Sequence, residues 1–347
     1  MITLSSSLNT LSDTNLVKLE FQRKIDEIIE KGKRERWFIS CDELIYQKKP
    51  FASGSFSSVH KCTWRSIEIA LKIPIETSQD TILSCLKEVE IWSTLRHPNL
   101  VQFLGVSIIE GKLCIMMEKI DGENLKQYLM RRRTKLTNKE RWNLAYQICV
   151  AISFLHNCTP SIIYRDLKPE NIMITENNKI KLTDFGLSRF MPEDTNFIMT
   201  GGTGTLRYLS PEVYHNKKYD LKSDIYSLGW VLYFIFSNKI PFSNFNISSM
   251  NSCLMNKDYT NKVVKEHLNN IPDNRIHFII LMCVRYDAIE RFEIEDICKS
   301  MENLKSKNEN DRQKNIFNSF ISNFKSKIFN KTITPCAPCA PCAPCTP

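Results

Sequence analysis

The sequence lacks any apolar run long enough to cross a membrane. The longest runs, around Leu228–Phe236 and Phe278–Val284, fall well short of the roughly 20 residues that a membrane-spanning helix needs. The first residues, MITLSSSLNT, contain neither a basic start nor a long apolar stretch, so they do not resemble a secretory signal. These absences argue against an integral membrane protein or a secreted one, and they predict a cytoplasmic location.

Cysteine is plentiful, but its distribution does not predict a disulfide framework. The chain has 13 cysteines, an odd number, and those in its body are scattered mostly among apolar neighbours. This pattern is typical of reduced, buried thiols in an intracellular protein. The last four lie at a constant spacing of three in TPCAPCAPCAPCTP, as Cys336, Cys339, Cys342 and Cys345.

Composition indicates a soluble globular protein without indicating its chemistry. Hydrophobic residues make up 42% and charged residues 24% of 347 residues, enough for one large two-lobed domain or two ordinary ones. The net charge of +9 favours acidic partners, such as a nucleotide, a nucleic acid or an anionic membrane surface. Because no nucleic-acid-binding module is recognisable and Arg131–Arg133 is typical of a solvated face, no nucleic-acid partner is expected.

The chain divides into three parts. Residues 1–43 form an extension in which Leu16, Leu19, Ile25, Ile28 and Ile29 recur at helical spacing, so an amphipathic helix is predicted there. Residues 44–301 form the main domain, in which β-branched and aromatic runs up to residue 116 surround the helical stretch DTILSCLKEVEIWSTL. From residue 121 the pattern is mostly helical. An α+β fold with a small β-rich lobe and a larger, mainly α-helical lobe is therefore predicted.

Residues 302–347 form a basic tail with two features. Its apolar residues Phe317, Phe320, Ile321, Phe324 and Ile328 lie near one helical face, which fits equally a membrane-surface helix and a helix packed on the large lobe. The Pro-Cys-Ala repeat favours disordered low complexity. An extended polyproline helix would instead align its four thiols for acylation and membrane anchoring.

The most specific signal is YRDLKPENIMI followed by KLTDFG, and with it the chain resembles the eukaryotic protein kinase family of serine/threonine type. The resemblance implies a bilobal kinase fold, ATP as the nucleotide and Mg²⁺ as the metal, with Mn²⁺ as an alternative. It assigns Asp166 as the catalytic base and Lys168 as the lysine that steadies the transferred phosphate. Asn171 and Asp184 are assigned as the metal ligands.

The same resemblance assigns the nucleotide-binding residues. Lys72, at the end of IALK, matches the lysine that holds the α- and β-phosphates, and Glu88 matches its helical partner, with Glu90 as the weaker candidate. Val59, Ala70 and Met173 are assigned to the two faces of the adenine ring, and Met117 to the gatekeeper position behind it. The backbone from Glu118 to Ile120 is assigned to hydrogen bonds with adenine.

The loop over the phosphates departs from the family pattern of three glycines. Its residues are Ala52, Ser53, Gly54, Ser55, Phe56, Ser57, Ser58 and Val59, so only the middle glycine remains. Glycine allows positive φ and close approach of the backbone to phosphate. Ala52 and Ser57 are therefore expected to stiffen this loop and to raise the KM for ATP.

Further residues match structural and regulatory positions of the family. Trp92, Phe103, Tyr164 and Phe185 are expected to form a packed aromatic stack. Asp224 is expected to support the catalytic loop, and Glu212 to pair with Arg291. Because Arg165 precedes Asp166, the activation loop is expected to be ordered by phosphorylation, either by an upstream kinase or by the chain itself. The candidate sites are Thr195, Thr200 and Thr203, whereas Thr205 is expected to contact the catalytic residues.

The sequence predicts the reaction more specifically than the residue type that accepts the phosphate. Lys168 and Gly204–Thr205 favour serine and threonine in protein substrates. WFISCDELIY, Trp64 and RHPNLVQFLG resemble the tyrosine-kinase-like group, so dual specificity remains an alternative. The altered phosphate loop also leaves open a pseudokinase scaffold that binds nucleotide without transferring phosphate.

Overall fold

The computed structural model describes residues 22–54, 56–132, 136–191 and 206–305. Strands dominate the first part of the main domain and helices dominate the second, so the predicted α+β architecture of two lobes is confirmed. Several predicted features lie outside the described residues: Leu16, Leu19, Ser55, Arg133, Thr195, Thr200, Thr203, Gly204, Thr205 and the tail from residue 306 onward.

The small lobe is built on one antiparallel sheet. Its strands follow the order β1-β3-β4-β6-β5, and β2 also pairs with β3. A bulge between Phe103 and Gly105 interrupts the pairing of β5 with β6. The strands are β1 (Leu44–Tyr46), β2 (Ala52–Ser53), β3 (Ser57–Trp64), β4 (Ile67–Pro74), β5 (Phe103–Ile109) and β6 (Lys112–Glu118).

Alternation along β4 gives this sheet two different faces. Ile69 and Leu71 are buried in a small apolar cluster with Met116. Because successive side chains of a strand point to opposite faces, Ala70 and Lys72 point to the other side. The run IEIALKI thus places a lysine on the face opposite the cluster formed by its apolar neighbours.

The extension before the main domain packs on the small lobe. A helix, α1 (22–34), carries Ile25 and Ile28 against the core, in the segment for which helical spacing predicts an amphipathic helix. The chain after α1 then runs along the edge of the sheet, where Val106 N donates to Trp37 O (2.8 Å) and Ile39 N donates to Val106 O (2.9 Å). The extension therefore adds backbone pairing to β5.

Helix α2 (Gln79–Trp92) packs on the face of the sheet to which Lys72 points, and it begins at an N-cap. The Ser78 side chain accepts a hydrogen bond from Thr81 N, which satisfies one of the free amides of the first turn. Leu86, Val89 and Trp92 are buried in the core. This packing fixes the rotation of α2.

The large lobe is mainly helical and contains short strand pairs. Strand β9 pairs with β7 and β10, and β8 pairs with β11, so residues 172–182 form a hairpin within the helical lobe. The elements are β7 (Gly122–Asn124), α3 (Leu125–Arg132), α4 (Asn138–His156), β8 (Ile162–Ile163), β9 (Ile172–Thr175), β10 (Ile180–Leu182), β11 (Arg189–Phe190), α5 (Pro211–Tyr214), α6 (Lys222–Ser237), α7 (Ile247–Met255), α8 (Lys257–Leu268), α9 (Asn274–Cys283) and α10 (Ile294–Lys305).

The two longest apolar runs of the sequence form core helices of this lobe. Leu228–Phe236 belongs to α6, which is buried along almost its whole length. Most of Phe278–Val284 belongs to α9, whose Ile279 and Ile280 are also buried. Within the described segments, no helix combines the length and apolarity needed to cross a membrane.

The body cysteines are free thiols, as predicted. Five are buried, three are partly buried, and Cys41 is exposed. Burial raises the pKa of Cys62 to about 11 and that of Cys114 to about 12. These thiols are therefore protonated near neutral pH and act as small apolar side chains in the core.

Candidate active site

One lysine joins the two lobes. Lys72 on β4 donates from Nζ to both carboxylate oxygens of Glu88, at 2.7 and 2.9 Å. The same ammonium donates to Asp184 Oδ1 of the large lobe, at 3.0 Å. Glu90 is exposed, so of the two candidate partners on α2 it is Glu88 that pairs with Lys72.

The charges of this cluster stabilise one another, with Glu88 buried, Lys72 mostly buried and the Asp184 side chain half exposed. Burial opposes the charge on Lys72, but the carboxylates of Asp184 and Glu88 hold the pKa of its ammonium above the ordinary value. The Lys72 ammonium in turn lowers the pKa of Asp184. Burial raises the pKa of Glu88, and Lys72 opposes that rise. We conclude that Asp184 carries a negative charge near neutral pH, the form required of the metal ligand that the sequence predicts.

A second cluster surrounds Asp166. Lys168 Nζ lies 2.8 and 2.7 Å from the two carboxylate oxygens of Asp166. The amide nitrogen of Asn171 donates to Asp166 Oδ2 at 2.7 Å and to Asp166 O at 3.0 Å. Since the amide nitrogen faces Asp166, the amide oxygen of Asn171 faces away from it.

Burial and nearby charge act in opposite directions on Asp166. Burial raises the pKa of its carboxyl group, and the Lys168 ammonium lowers it. The net pKa lies above the ordinary value. A raised pKa makes the carboxylate a stronger proton acceptor, which suits a general base.

Helix α6 holds the backbone that carries these residues. Asp224, which is almost completely buried, accepts from Tyr164 N and Arg165 N, each at 2.8 Å. His156 Nε2 lies 3.0 Å from the same carboxylate. The predicted support of the catalytic loop by Asp224 is confirmed. Arg165 has φ +72° and Asp184 has φ +61°, conformations that cost energy outside glycine and persist where the surroundings enforce them.

The predicted aromatic stack is present. Trp92 lies 6.0 Å from Phe103 and 5.3 Å from Phe185, measured between ring centroids. Phe185 lies 5.6 Å from Tyr164 in an edge-to-face arrangement. The Tyr164 hydroxyl also donates to the backbone carbonyl of Thr183, the residue before Asp184. The stack thus connects α2 to the segments that carry Asp166 and Asp184.

The residues assigned to adenine come from both lobes. Ala70 on β4 is paired with Met117 on β6, and Val59 on β3 is paired with Lys72. Met173 lies on β9 of the large lobe. Glu118 N donates to Gln102 O at 3.0 Å. The amide of Glu118 is thereby occupied, so a donor to the base has to come from the following residues, up to Ile120.

The phosphate loop forms a hairpin between β2 and β3. Ala52 pairs with Val59 and Ser53 with Ser58, and Gly54 N donates to Ser57 O at 2.8 Å. The Phe56 side chain is exposed. Ser55 lies outside the described residues.

The predicted pair between Glu212 and Arg291 is confirmed. Arg291 donates from Nη1 to Glu212 Oε1 (2.6 Å) and from Nη2 to Glu212 Oε2 (2.8 Å), and its side chain is fully buried. Its remaining donors bond to the carbonyls of Arg285, Lys222 and Tyr286. This bidentate pair anchors α5 to the loop before α10.

The protein kinase domain family matches residues 46–301. With the two lobes and the clusters around Lys72 and Asp166 described above, this match shows that the chain belongs to the protein kinase family.

Its relatives are named as kinases. The chain is 35% identical to the serine/threonine-protein kinase STY46 of Arabidopsis thaliana over 59% of its own length and 35% of the relative's. It is 35% identical to the serine/threonine-protein kinase VIK of the same plant, over 60% of this chain and 49% of the relative. It is 31% identical to the putative serine/threonine-protein kinase/receptor R831 of Acanthamoeba polyphaga mimivirus, over 64% of this chain and 14% of the relative. The matched region covers less than half the length of each of these relatives.

Sequence reasoning missed two side chains that bear on the site. His156, on Asp224, is the last residue of α4, and its polarity after the apolar ISFL was the available signal. Trp37 packs on Phe103, with ring centroids 5.7 Å apart. Its signal was a large aromatic residue following the charged KGKRER.

Proposed function

We propose that the chain is a serine/threonine protein kinase that transfers the γ-phosphate of ATP to hydroxyl groups of protein substrates, in a signalling role. The observation that carries this proposal is the assembled pair of charge clusters: Lys72 bonded to both Glu88 and Asp184, and Asp166 bonded to Lys168. A kinase must bring these charges together from two lobes before phosphate can be transferred.

The residues supply the chemistry as follows. Asp166 accepts the proton of the substrate hydroxyl, whose oxygen bonds to the γ-phosphorus while the bond to the β-phosphate oxygen breaks and ADP leaves. Lys168 neutralises charge on the transferred phosphoryl group. Lys72, held by Glu88, orients the α- and β-phosphates. Most of the acceleration then comes from positioning and from charge neutralisation.

The family uses ATP together with a divalent metal, and the residues of this chain fit one. Asp184 is ionised next to Lys72, and the amide oxygen of Asn171 faces away from Asp166. Carboxylate and amide oxygens are the ligands that Mg²⁺ prefers, so we propose Mg²⁺ at Asp184 and Asn171, with Mn²⁺ as an alternative. The bound metal would neutralise phosphate charge.

The nucleotide would lie between the lobes. We propose that Val59, Ala70 and Met173 enclose the adenine, next to Met117, and that the backbone of Glu118–Ile120 bonds to its edge. The hairpin around Gly54 would cover the phosphates, with contributions from Ala52, Ser53, Ser55 and Phe56.

One observation favours a second function, a pseudokinase scaffold. Ala52 and Ser57 replace two glycines of the phosphate loop, which would weaken ATP binding. The complete ionic set around Lys72 and Asp166 argues for catalysis instead, because a scaffold needs none of it.

The proposal also covers the activating phosphorylation of the chain and its location in the cell. Candidate activating sites are Thr195, Thr200 and Thr203, modified by an upstream kinase or by the chain itself. The cytoplasm is the proposed location, with membrane contact through the tail as an addition.

The test is transfer from γ-labelled ATP with Mg²⁺ to a protein substrate, comparing wild type with Asp166→Asn. Phosphoserine or phosphothreonine that disappears in the variant would support the proposal, and added phosphotyrosine would indicate dual specificity. If activation-loop phosphorylation is supplied and wild type binds ATP but transfers no more phosphate than the variant, the scaffold function is correct.

A further inference from the structure

The edge of the small-lobe sheet next to the phosphate loop is broken. Strands β1 and β2 both pair with β3, and residues 47–51 between them belong to neither. Backbone bonds continue on each side of the break, from Gln47 N to Lys61 O and from Phe51 N to Val59 O, both 2.9 Å. The position of β2, which leads into the phosphate loop, therefore depends on how this break is held.

The imidazole of His60 lies at this break. Its Nδ1 is 2.8 Å from Gln47 O, and its Nε2 is 2.8 Å from the hydroxyl of Ser58. His60 is 7% exposed, and the Tyr46 ring packs edge-on against the imidazole, with ring centroids 6.0 Å apart. The ring is thus fixed on both sides.

The directions of these hydrogen bonds follow from the partners. A backbone carbonyl can only accept, so Nδ1 of His60 carries a proton and donates to Gln47 O. In the neutral ring, Nε2 then has a free lone pair and accepts a hydrogen bond from the Ser58 hydroxyl. Ser58 Oγ also lies 3.4 Å from Ile73 O, a longer contact that competes with His60 only weakly. The result is a chain of hydrogen bonds from Ser58 through His60 to Gln47.

This chain reaches the phosphate loop directly. Ser58 is paired with Ser53 of β2 and with Ile73 of β4. Along β3, Ser58 and His60 point to one face, whereas Val59 between them points to the opposite face, with Ala70 and Lys72. The hydrogen bonds therefore hold the loop from behind and leave the nucleotide-facing side free.

We propose that the Gln47–His60–Ser58 chain, which we call the hairpin tie, positions the phosphate loop for the triphosphate of ATP. His60 and Ser58 are positioning residues, because they act through the backbone of β2 and β3. The inference rests on the proposed nucleotide binding. In a loop that has lost two of three glycines, the tie fixes one hairpin geometry, which lowers the entropy lost when ATP binds.

The tie predicts which part of the nucleotide is affected by its loss. Residues on the rear face of β3 do not reach adenine, whereas the hairpin that they hold would cover the phosphates. Without the tie, ATP should bind more weakly and adenosine should bind as before. Loss of one neutral hydrogen bond corresponds to a change of roughly two- to tenfold in affinity.

The experiment measures the Kd of ATP with Mg²⁺ and the Kd of adenosine by calorimetry for the full chain. The test variants are Ser58→Ala and His60→Ala. Ser58→Thr keeps the hydroxyl and serves as the rescue variant, and Lys49→Ala is the matched control because Lys49 is an exposed side chain of the same break.

The expected result is ATP binding weakened roughly two- to tenfold in Ser58→Ala and His60→Ala. Adenosine binding should stay unchanged, and Ser58→Thr and Lys49→Ala should behave as wild type. The tie is rejected if ATP affinity is unchanged in Ser58→Ala, or if ATP and adenosine weaken by the same factor, which indicates general damage to the lobe. Should His60→Ala not fold, Ser58→Ala alone decides. Wild type that binds no ATP would overturn the proposed function and this inference with it.

Discussion

The ring of Trp37 packs edge-on against the ring of Phe103, with centroids 5.7 Å apart and planes at 77°. Phe103 in turn packs on Trp92, so the four-ring stack through Phe185 and Tyr164 gains a fifth ring. Trp37 precedes the matched family region, which starts at residue 46. The extension before the domain is thereby joined to the interior of the catalytic unit.

We expect Trp37→Ala to lower the free energy of unfolding by about 3–5 kcal/mol, the usual cost of truncating a buried tryptophan. Phosphate transfer should fall as well, because Phe103 loses one of its supports. Urea unfolding and kcat would measure these effects. Trp64→Ala is the control, since Trp64 is only partly buried and packs on the small apolar cluster that contains Ile69 and Leu71. Equal losses in the two variants would show that Trp37 has no special link to the site.

Gly105→Ala should be strongly destabilising. A Cβ atom at Gly105 would lie 2.3 Å from Trp37 O, so the extension would have to leave the edge of the sheet. Gly54→Ala is the matched control, because the nearest atom to a Cβ there is 3.8 Å away. Thermal unfolding should show a large decrease in Tm for the first variant and almost none for the second. Similar Tm values would contradict the close packing at Gly105.

The pH dependence of phosphate transfer should depend on Lys168. Asp166 must be ionised to accept a proton, so activity should be present above its pKa and lost as the pH falls through it. The Lys168 ammonium lowers this pKa against the effect of burial. Lys168→Ala should therefore move the acidic limb of kcat/KM to higher pH, besides lowering kcat.

The control for this pH profile is Lys126→Ala. Lys126 is bonded to Glu170 at 2.8 Å, close to the catalytic loop but not to Asp166. Its removal should leave the midpoint of the acidic limb in place. A midpoint that stays constant in Lys168→Ala would mean that another group controls the acidic limb.

Glu212→Gln should destabilise the large lobe by about 3–5 kcal/mol, because it leaves the guanidinium of Arg291 buried without its countercharge. Urea denaturation of the variant measures the loss. Glu293→Gln is suited as a control, since Glu293 is half exposed and contacts Lys222 at 2.9 Å. A change below about 1 kcal/mol in Glu212→Gln, the range of an exposed pair, would argue against a structural role for the buried pair.

Short-range patterns in the sequence predicted much of the fold. The β-branched and aromatic runs up to residue 116 indicated strands, and one of them, IEIALKI, forms β4 with two distinct faces. Helical spacing of Ile25 and Ile28 indicated α1. The two motifs that contain Asp166 and Asp184 were recognised from their spacing along the chain. In the structure the two segments contact each other, since Thr183 N donates to Asn171 O.

The contacts that the sequence did not predict join residues far apart in the chain. Nothing near Trp37 indicates that it meets Phe103, because the meeting depends on the path of the chain along β5. His156 was missed for the same reason, since its partner Asp224 lies on another helix. The partners of His60 could not be predicted either, because the break between β1 and β2 that provides them is a property of the assembled sheet.

The uneven burial of the thiols makes the protein suitable for site-selective labelling. Cys41 is exposed, whereas burial raises the pKa of each other cysteine among the described residues, which slows its reaction with maleimides. With the four tail cysteines replaced by serine, a fluorophore would attach to Cys41. Cys41 lies two residues after Ile39, where the extension leaves the sheet. Such a dye would report, in single molecules, whether the extension stays paired with the small lobe.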